Sequence, residues 1–258
     1  MKHIKRRFFL QTTSDKINLN KPEFEVLDLQ KGISQSDLSN RKDSIVYVET
    51  EDDVVIGGFV HKVDGKNYMF PVPDPTLIYF NNAQLNIQAI IEQKKVLLKK
   101  LDVTIELNSP AIHDIYNYFG LTSGFVIFLF TSIESFINQM IPDDFIYEDE
   151  QNKRTEIYNK NQIQEFLDFK TKITKVLNKA TEKNFFSNQT PTNQLIWKLK
   201  EFRDDIIHTK QDENPLKYNN LIKKSLSFKY ESSLLAVAKF MNHYKKDYII
   251  ECDCGEDF

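Results

Sequence analysis

The sequence predicts an α+β protein: a small β-rich N-terminal domain (residues 1–80), an all-α helix bundle (81–247) and an acidic tail (248–258). Three observations predict it. Short stretches before residue 80 alternate apolar and polar side chains, the period of a half-buried strand. Pro71, Pro73 and Pro75 then interrupt the pattern and form a stiff connector. From about residue 81 apolar side chains recur at helical spacing.

The elements follow in order. Phe24 to Leu29, Ile45 to Val48 and part of Val54 to His61 alternate as strands. Val63-Asp64-Gly65-Lys66 places an Asp-Gly turn between Phe59-Val60 and Tyr68-Met69-Phe70, a hairpin signal because both central residues of a tight primed turn need positive φ. Leu85, Ile87, Ile90, Ile91, Val96, Leu97, Leu98 and Leu101 line one helix. Ser109-Pro110 opens a short one, and Thr122 or Ser123 caps the next, which runs to Ile141 before Pro142. The acidic residues 143–150 read as a loop, and further helices as 160–181, 191–210 and 217–247, with a break at 211–215. No internal repeat is present.

Composition narrows the function classes. Apolar residues at 41% and charged residues at 28% suit a globular chain, and 7 Gly with 8 Pro exclude long low-complexity tracts. The basic start, Met1 to Arg7, precedes only Phe8-Phe9-Leu10, too short for a secretory leader. The longest apolar run, Phe125 to Phe130, is far below membrane-spanning length, so no membrane partner is expected. Cys252 and Cys254 are one residue apart, which disfavours an unstrained disulfide, so a reducing, cytoplasmic setting is expected. Net charge is −3 but unevenly spread: −6 over 1–159, +8 over 160–246 and −5 over 247–258. A basic stretch in an acidic chain points to a polyanionic partner or to a solvated lysine-rich surface.

The most informative segment is Leu199 to His208. On a helical wheel Leu195, Leu199, Phe202 and Ile206 form the core stripe, Arg203 lies roughly 70° from its centre and His208 roughly 150° away. Asp204 and His208 are four apart, within reach of a carboxylate–imidazole contact that would fix the imidazole tautomer. The set suits phosphodiester chemistry. An imidazole can take the proton of an RNA 2′-hydroxyl or give one to the leaving oxygen, and a guanidinium can grip the phosphate and its developing charge. Such cleavage needs no metal, and no cofactor is expected. Because His208 points away from its own core, a site completed by a second copy across a two-fold axis is expected.

Arg203-Asp204-Asp205-Ile206-Ile207-His208 resembles the Arg-x4–6-His motif of the HEPN superfamily (higher eukaryote and prokaryote nucleotide-binding). In that family a polar residue commonly follows the Arg, as Asp204 does here. Ile133-Glu134-Ser135-Phe136-Ile137-Asn138 is similar to the early HEPN helix that carries an acid among apolar residues. The resemblance covers roughly residues 110–247. It implies a HEPN-like bundle, a homodimer with both motifs at the interface, and metal-independent endoribonuclease activity leaving a cyclic phosphate. Many relatives are toxins or phage-defence effectors, which makes an antitoxin or regulatory protein a further expected partner; some have lost catalysis. Some subgroups carry a Tyr three residues after the His, where this chain has Gln211, a departure from the subgroup paired with a nucleotidyltransferase antitoxin.

Other residues complete the reading. Glu134 lies in an otherwise apolar helix and is expected either to contact and orient Arg203 or to face solvent or cap a neighbouring helix. Asn138, one turn on, either joins that cluster or bridges helices. Trp197 shares the face of Glu201, Asp204 and His208, opposite the core, and is expected to stack a base or enter an interface. His61 and His113 stand at no metal-like spacing, and His243 reads as a surface His near a helix C-terminus. Cys252 and Cys254 supply two thiols where structural zinc takes four ligands. No phosphate-binding Gly-rich loop and no nucleophile elbow is present. The alternative function is a non-catalytic helical interaction or nucleotide-binding module.

Overall fold

The structure, a computed structural model, describes residues 11–13, 32–41, 45–49, 54–102, 109–151, 154–208 and 218–250. It has an α+β layout in two compact units that divide between Pro75 and Thr76, five residues before the expected boundary. The expected strand at Phe24–Leu29 and the Cys252–Cys254 pair lie outside the described residues.

The N-terminal unit is a four-stranded antiparallel sheet with one short helix. Its strands are β1 (Gln11–Thr13), β2 (Ile45–Glu49), β3 (Val54–Val63) and β4 (Lys66–Pro71), with β3 pairing all three others. The Asp-Gly turn is present: Asp64 and Gly65 take φ of 48° and 86°, and Val63 pairs with Lys66. Gly58 is needed where it sits, since a Cβ there would meet the Phe70 carbonyl oxygen at 2.9 Å. Helix α1 (Gln35–Asn40), capped by Ser34, buries Leu38. Its Gln35 side chain donates to the Asn67 carbonyl and accepts from the Asn67 N–H, both at 2.9 Å, which occupies one backbone site on β4.

The helical unit opens with two long antiparallel helices, α2 (Pro75–Leu101) and α3 (Ser109–Met140). Pro75, expected in the connector, is instead the first residue of α2, where a proline costs no hydrogen bond. At one end Thr76 donates to Ser135 (3.0 Å) and accepts from Gln139 (3.2 Å). At the other, Asp114 is bonded by Lys100 and Gln93. Helix α3 corrects the expected break at Thr122 or Ser123. Thr122 is buried and its hydroxyl bonds back to the Phe119 carbonyl, because Phe125, Val126, Leu129, Phe130, Ile133, Phe136 and Ile137 are all sealed in the core. That burial favours one unbroken helix over the local capping signal. The helix therefore contains a stretch, Ile112–Met140, long and apolar enough to cross a membrane, although no single apolar run is; half of its apolar window is buried inside the unit, as in a core helix.

Residues 143–150 are not all loop. β5 (Ile146–Gln151) and β6 (Arg154–Asn159) form a hairpin. Tyr147 is buried opposite Tyr158, and two lysines of the following helical segment reach the hairpin. Lys175 pairs with Asp149 (3.1 Å), and Lys179 donates to the Glu148 carbonyl while lying 5.0 Å from the Tyr147 ring centre. Next come α4 (Lys160–Phe166), closed by an Asn159–Gln162 capping box, and α5 (Phe169–Thr171). A π-turn (Lys172–Val176) leads into α6 (Leu177–Thr181). Thr190 caps α7 (Pro191–Ile207), which packs on α3 and on the helix nearest the C-terminus and buries Ile196, Leu199 and Phe202.

The expected 217–247 helix is two, α8 (Asn219–Ser227) and α9 (Tyr230–Tyr244). Side chains take the carbonyls that a continuing helix would use. Tyr118 and Tyr230 both donate to the Ser225 carbonyl (2.9 and 2.6 Å), and Lys94 donates to that of Leu226 (2.5 Å). Phe228, between the helices, packs its ring 5.1 Å from those of Phe202 and Tyr230.

Candidate active site

Two helices bring Glu134, Arg203 and Asp204 together. The apolar spacing of α3 buries Phe130, Ile133 and Ile137, which leaves Glu134 half-buried at the edge of the core. On α7 the buried residues are Asn193, Ile196, Leu199 and Phe202, with Leu195 and Ile206 only partly covered. The core face is thus turned toward Arg203 relative to the expected stripe. The Arg203 side chain is only 27% exposed, and its guanidinium lies 4.7 Å from the centre of the Phe130 ring. Glu134 Oε2 is 3.8 Å from one guanidinium nitrogen and Asp204 Oδ1 is 3.1 Å from another. The contact expected between Glu134 and Arg203 is present.

Asp204 takes a different position from the expected one. Its carboxylate accepts from Lys200 Nζ at 2.5 Å and from Arg203 at 3.1 Å, and among the described residues it makes no contact with the His208 ring. Lys200 precedes it by one turn, within i,i+4 reach of the carboxylate. His208 caps the C-terminus of α7 and is exposed; its backbone N–H completes the last helical bond to the Asp204 carbonyl at 2.9 Å. Asn138 makes no hydrogen bond to another described residue and does not join the cluster. Trp197 is half-buried in its own chain, its ring centre 5.5 Å from Phe186 and 6.2 Å from Phe169, contrary to the outward placement expected for it. It falls on the outer face of α7, but the residues around Phe169 and Phe186 fold over that face.

The electrostatics follow from this packing. Burial pushes the Glu134 carboxyl above its ordinary range, against the pull of Arg203 and Lys172, and the Asp204 charge adds to the rise. Burial also works to raise Asp204, but hydrogen bonds from Lys200 and Arg203 outweigh it and hold Asp204 below its ordinary value. Lys172 was missed by sequence reasoning. The π-turn places it half-buried near Glu134, with its amine on the Gln164 carbonyl at 2.7 Å and its pKa lowered by burial. Only the turn's non-standard hydrogen bonding sets that position, and no sequence pattern announces such a turn. Lys172, Lys200 and Arg203 thus face Glu134 and Asp204 across the cluster, three basic side chains against two acidic ones.

The other described histidines lie elsewhere. His61 is exposed on the N-terminal sheet, His113 is exposed on α3, and His243 packs against Phe185 and Tyr244, with burial and Lys183 lowering its pKa. No group of three His, Cys, Asp or Glu positioned to hold a metal exists among the described residues. Comparison with family models, curated proteins and solved structures gives no match for this chain.

Proposed function

We propose that the chain is a metal-independent endoribonuclease of the HEPN type, acting in the cytoplasm as a homodimer. The observation that carries the proposal is the Glu134–Arg203 contact. It links the two segments that resemble HEPN helices, and His208 stands exposed at the end of the same helix as Arg203. Arg203, oriented by Phe130, Glu134 and Asp204, would hold the scissile phosphate and stabilise its added charge. His208 would accept the proton of the 2′-hydroxyl as its oxygen bonds to phosphorus, and the bond from phosphorus to the 5′-oxygen would break. A second His208 across the two-fold would supply the proton that the leaving oxygen needs. Asp204 is a positioning residue for Arg203 in this scheme, not for His208. Toxin or defence roles, with an antitoxin or regulatory partner, follow the same reading.

Of the two basic stretches that would follow an RNA backbone in this reading, 170–183 and 217–246, the first has four of its lysines already engaged. Lys172, Lys175, Lys179 and Lys183 already bond to Gln164, Asp149, Glu148 and Tyr244. One observation favours the non-catalytic reading: two carboxylates already flank the guanidinium of Arg203. The test is incubation of the purified chain with total RNA in EDTA. The wild type should cleave, while His208→Ala and Arg203→Ala should lose on the order of a hundredfold or more in rate while remaining folded. A His208→Ala variant that cleaves at the wild-type rate sinks the nuclease, and a wild type without activity turns the assignment to the interaction module.

A further inference from the structure

We infer that Glu134 is an internal stand-in for a phosphate: its carboxylate occupies the anion seat of Arg203 and Lys172, and it gives up that seat when a phosphate enters. The ligand is the scissile phosphate of the nuclease reading, on which this assignment rests.

Arg203 holds its two carboxylates unequally. Asp204 is fixed, since it accepts from Arg203 at 3.1 Å and from Lys200 at 2.5 Å on the same helix. Glu134 Oε2 stops 3.8 Å from the other guanidinium nitrogen, outside hydrogen-bond range. Glu134 makes no hydrogen bond to another described residue, and its side chain is 40% exposed, so water reaches it. Lys172 acts on the same carboxylate from the π-turn. Among the described residues its ammonium commits one of three donors, to the Gln164 carbonyl at 2.7 Å. Burial outweighs Glu134 and Asp168 in setting the Lys172 pKa, so neither carboxylate fully compensates its charge.

Two part-buried cations with unused donors and one loosely held carboxylate make a seat that a better anion can take. A phosphate oxygen in hydrogen-bond contact with both cations gains more than a carboxylate at 3.8 Å. The contact that it displaces is the weaker of the two on Arg203. The Asp204 bond and the Phe130 ring, 4.7 Å away, keep the guanidinium aimed. The groups that act on Glu134 are Arg203 and Asp204 of α7 and Lys172 of the π-turn. Burial and the Asp204 charge already push its carboxyl above the ordinary 4.5, against the two cations. An arriving phosphate brings further negative charge and takes up the pull of those cations. Glu134 then accepts a proton from solvent and changes from a competitor into an O–H donor.

The test reads Arg203 directly. Sodium sulfate, whose charge does not change near neutral pH, is titrated at constant ionic strength into the isotope-labelled full-length chain. The signal is the Arg203 Nε–H in NMR, identified by its loss in Arg203→Lys. The wild type should show a saturable shift that tightens as pH falls toward the raised Glu134 value. Glu134→Gln, neutral and of the same shape, should bind sulfate roughly tenfold more tightly and with a flatter pH dependence. Lys172→Met should bind roughly tenfold more weakly, and Lys172→Arg should recover most of that loss. A Glu134 that serves only to orient Arg203 predicts the reverse, weaker binding in Glu134→Gln. Unchanged or weaker binding in that variant overturns the stand-in, as does an Arg203 signal that ignores sulfate or a Lys172→Met variant that binds like the wild type. RNA incubation separates the two readings. The expected sulfate results without RNA cleavage keep the seat and remove the nuclease. Cleavage by the wild type, with no gain in sulfate affinity in Glu134→Gln, keeps the nuclease and removes the stand-in.

Discussion

The two units of this protein place their described aromatic residues differently. The helical unit buries many of its rings against one another: Phe136 meets Phe240, Phe202 meets Phe228, and Phe125 meets Tyr230 edge-on at 5.1 Å, although Tyr116, Phe166 and Tyr218 stay exposed. The sheet unit leaves Phe59, Tyr68 and Phe70 part-exposed. A chain with 20 Phe and 11 Tyr could have spent all of them on stability. The contrast separates rings whose burial holds the fold from rings that contribute less to it.

Truncating a ring in each unit breaks or sharpens that contrast. Phe136→Ala removes a fully buried ring next to Phe240, so a loss of about 3–5 kcal/mol in chemical denaturation is expected. Phe59→Ala should cost under about 1 kcal/mol, since much of the ring is already in water. Equal losses in the two variants would erase the distinction.

A smaller effect tests the junction of α8 and α9. Tyr118→Phe or Tyr230→Phe alone should cost about 1 kcal/mol, because the Ser225 carbonyl keeps its other donor. The double variant should cost more than the sum of the two, since it leaves the carbonyl without either hydroxyl. Strict additivity in urea melts would show that the shared acceptor is not what fixes the break.

The smallest effect is electrostatic. Asp204 has a folded pKa below the ordinary 3.8, so it contributes stability above roughly pH 4 that is lost as pH falls through the folded value. Asp204→Asn should flatten the acid limb of the stability profile by less than about 1 kcal/mol, because the pair is part-exposed and screened. An unchanged acid limb would mean that Lys200 and Arg203 do not hold the carboxylate in solution.

Much of the candidate site was legible in the sequence. The helical repeat of α7 placed Arg203 near the core edge and His208 outside it, and an acid among the apolar residues of α3 marked Glu134 as a partner. Asp204 was misassigned because a wheel gives the face of a residue but not which of two neighbours wins its carboxylate; Lys200 and Arg203 were both nearer. Trp197 was misplaced because the helix pattern says nothing of the segment that folds over it.

The sequence by itself determined the α+β layout, the Asp-Gly hairpin of β3 and β4 and the amphipathic face of α7, because each depends on local periodicity or on one turn's backbone angles. Only the tertiary structure decided that α3 runs unbroken, that 146–159 forms a hairpin and that 219–244 is two helices. Those outcomes depend on contacts between residues distant in the chain: Lys175 with Asp149, and Tyr118 with Ser225. Burial energy gained across such distances exceeds the few tenths of a kilocalorie by which local propensities differ.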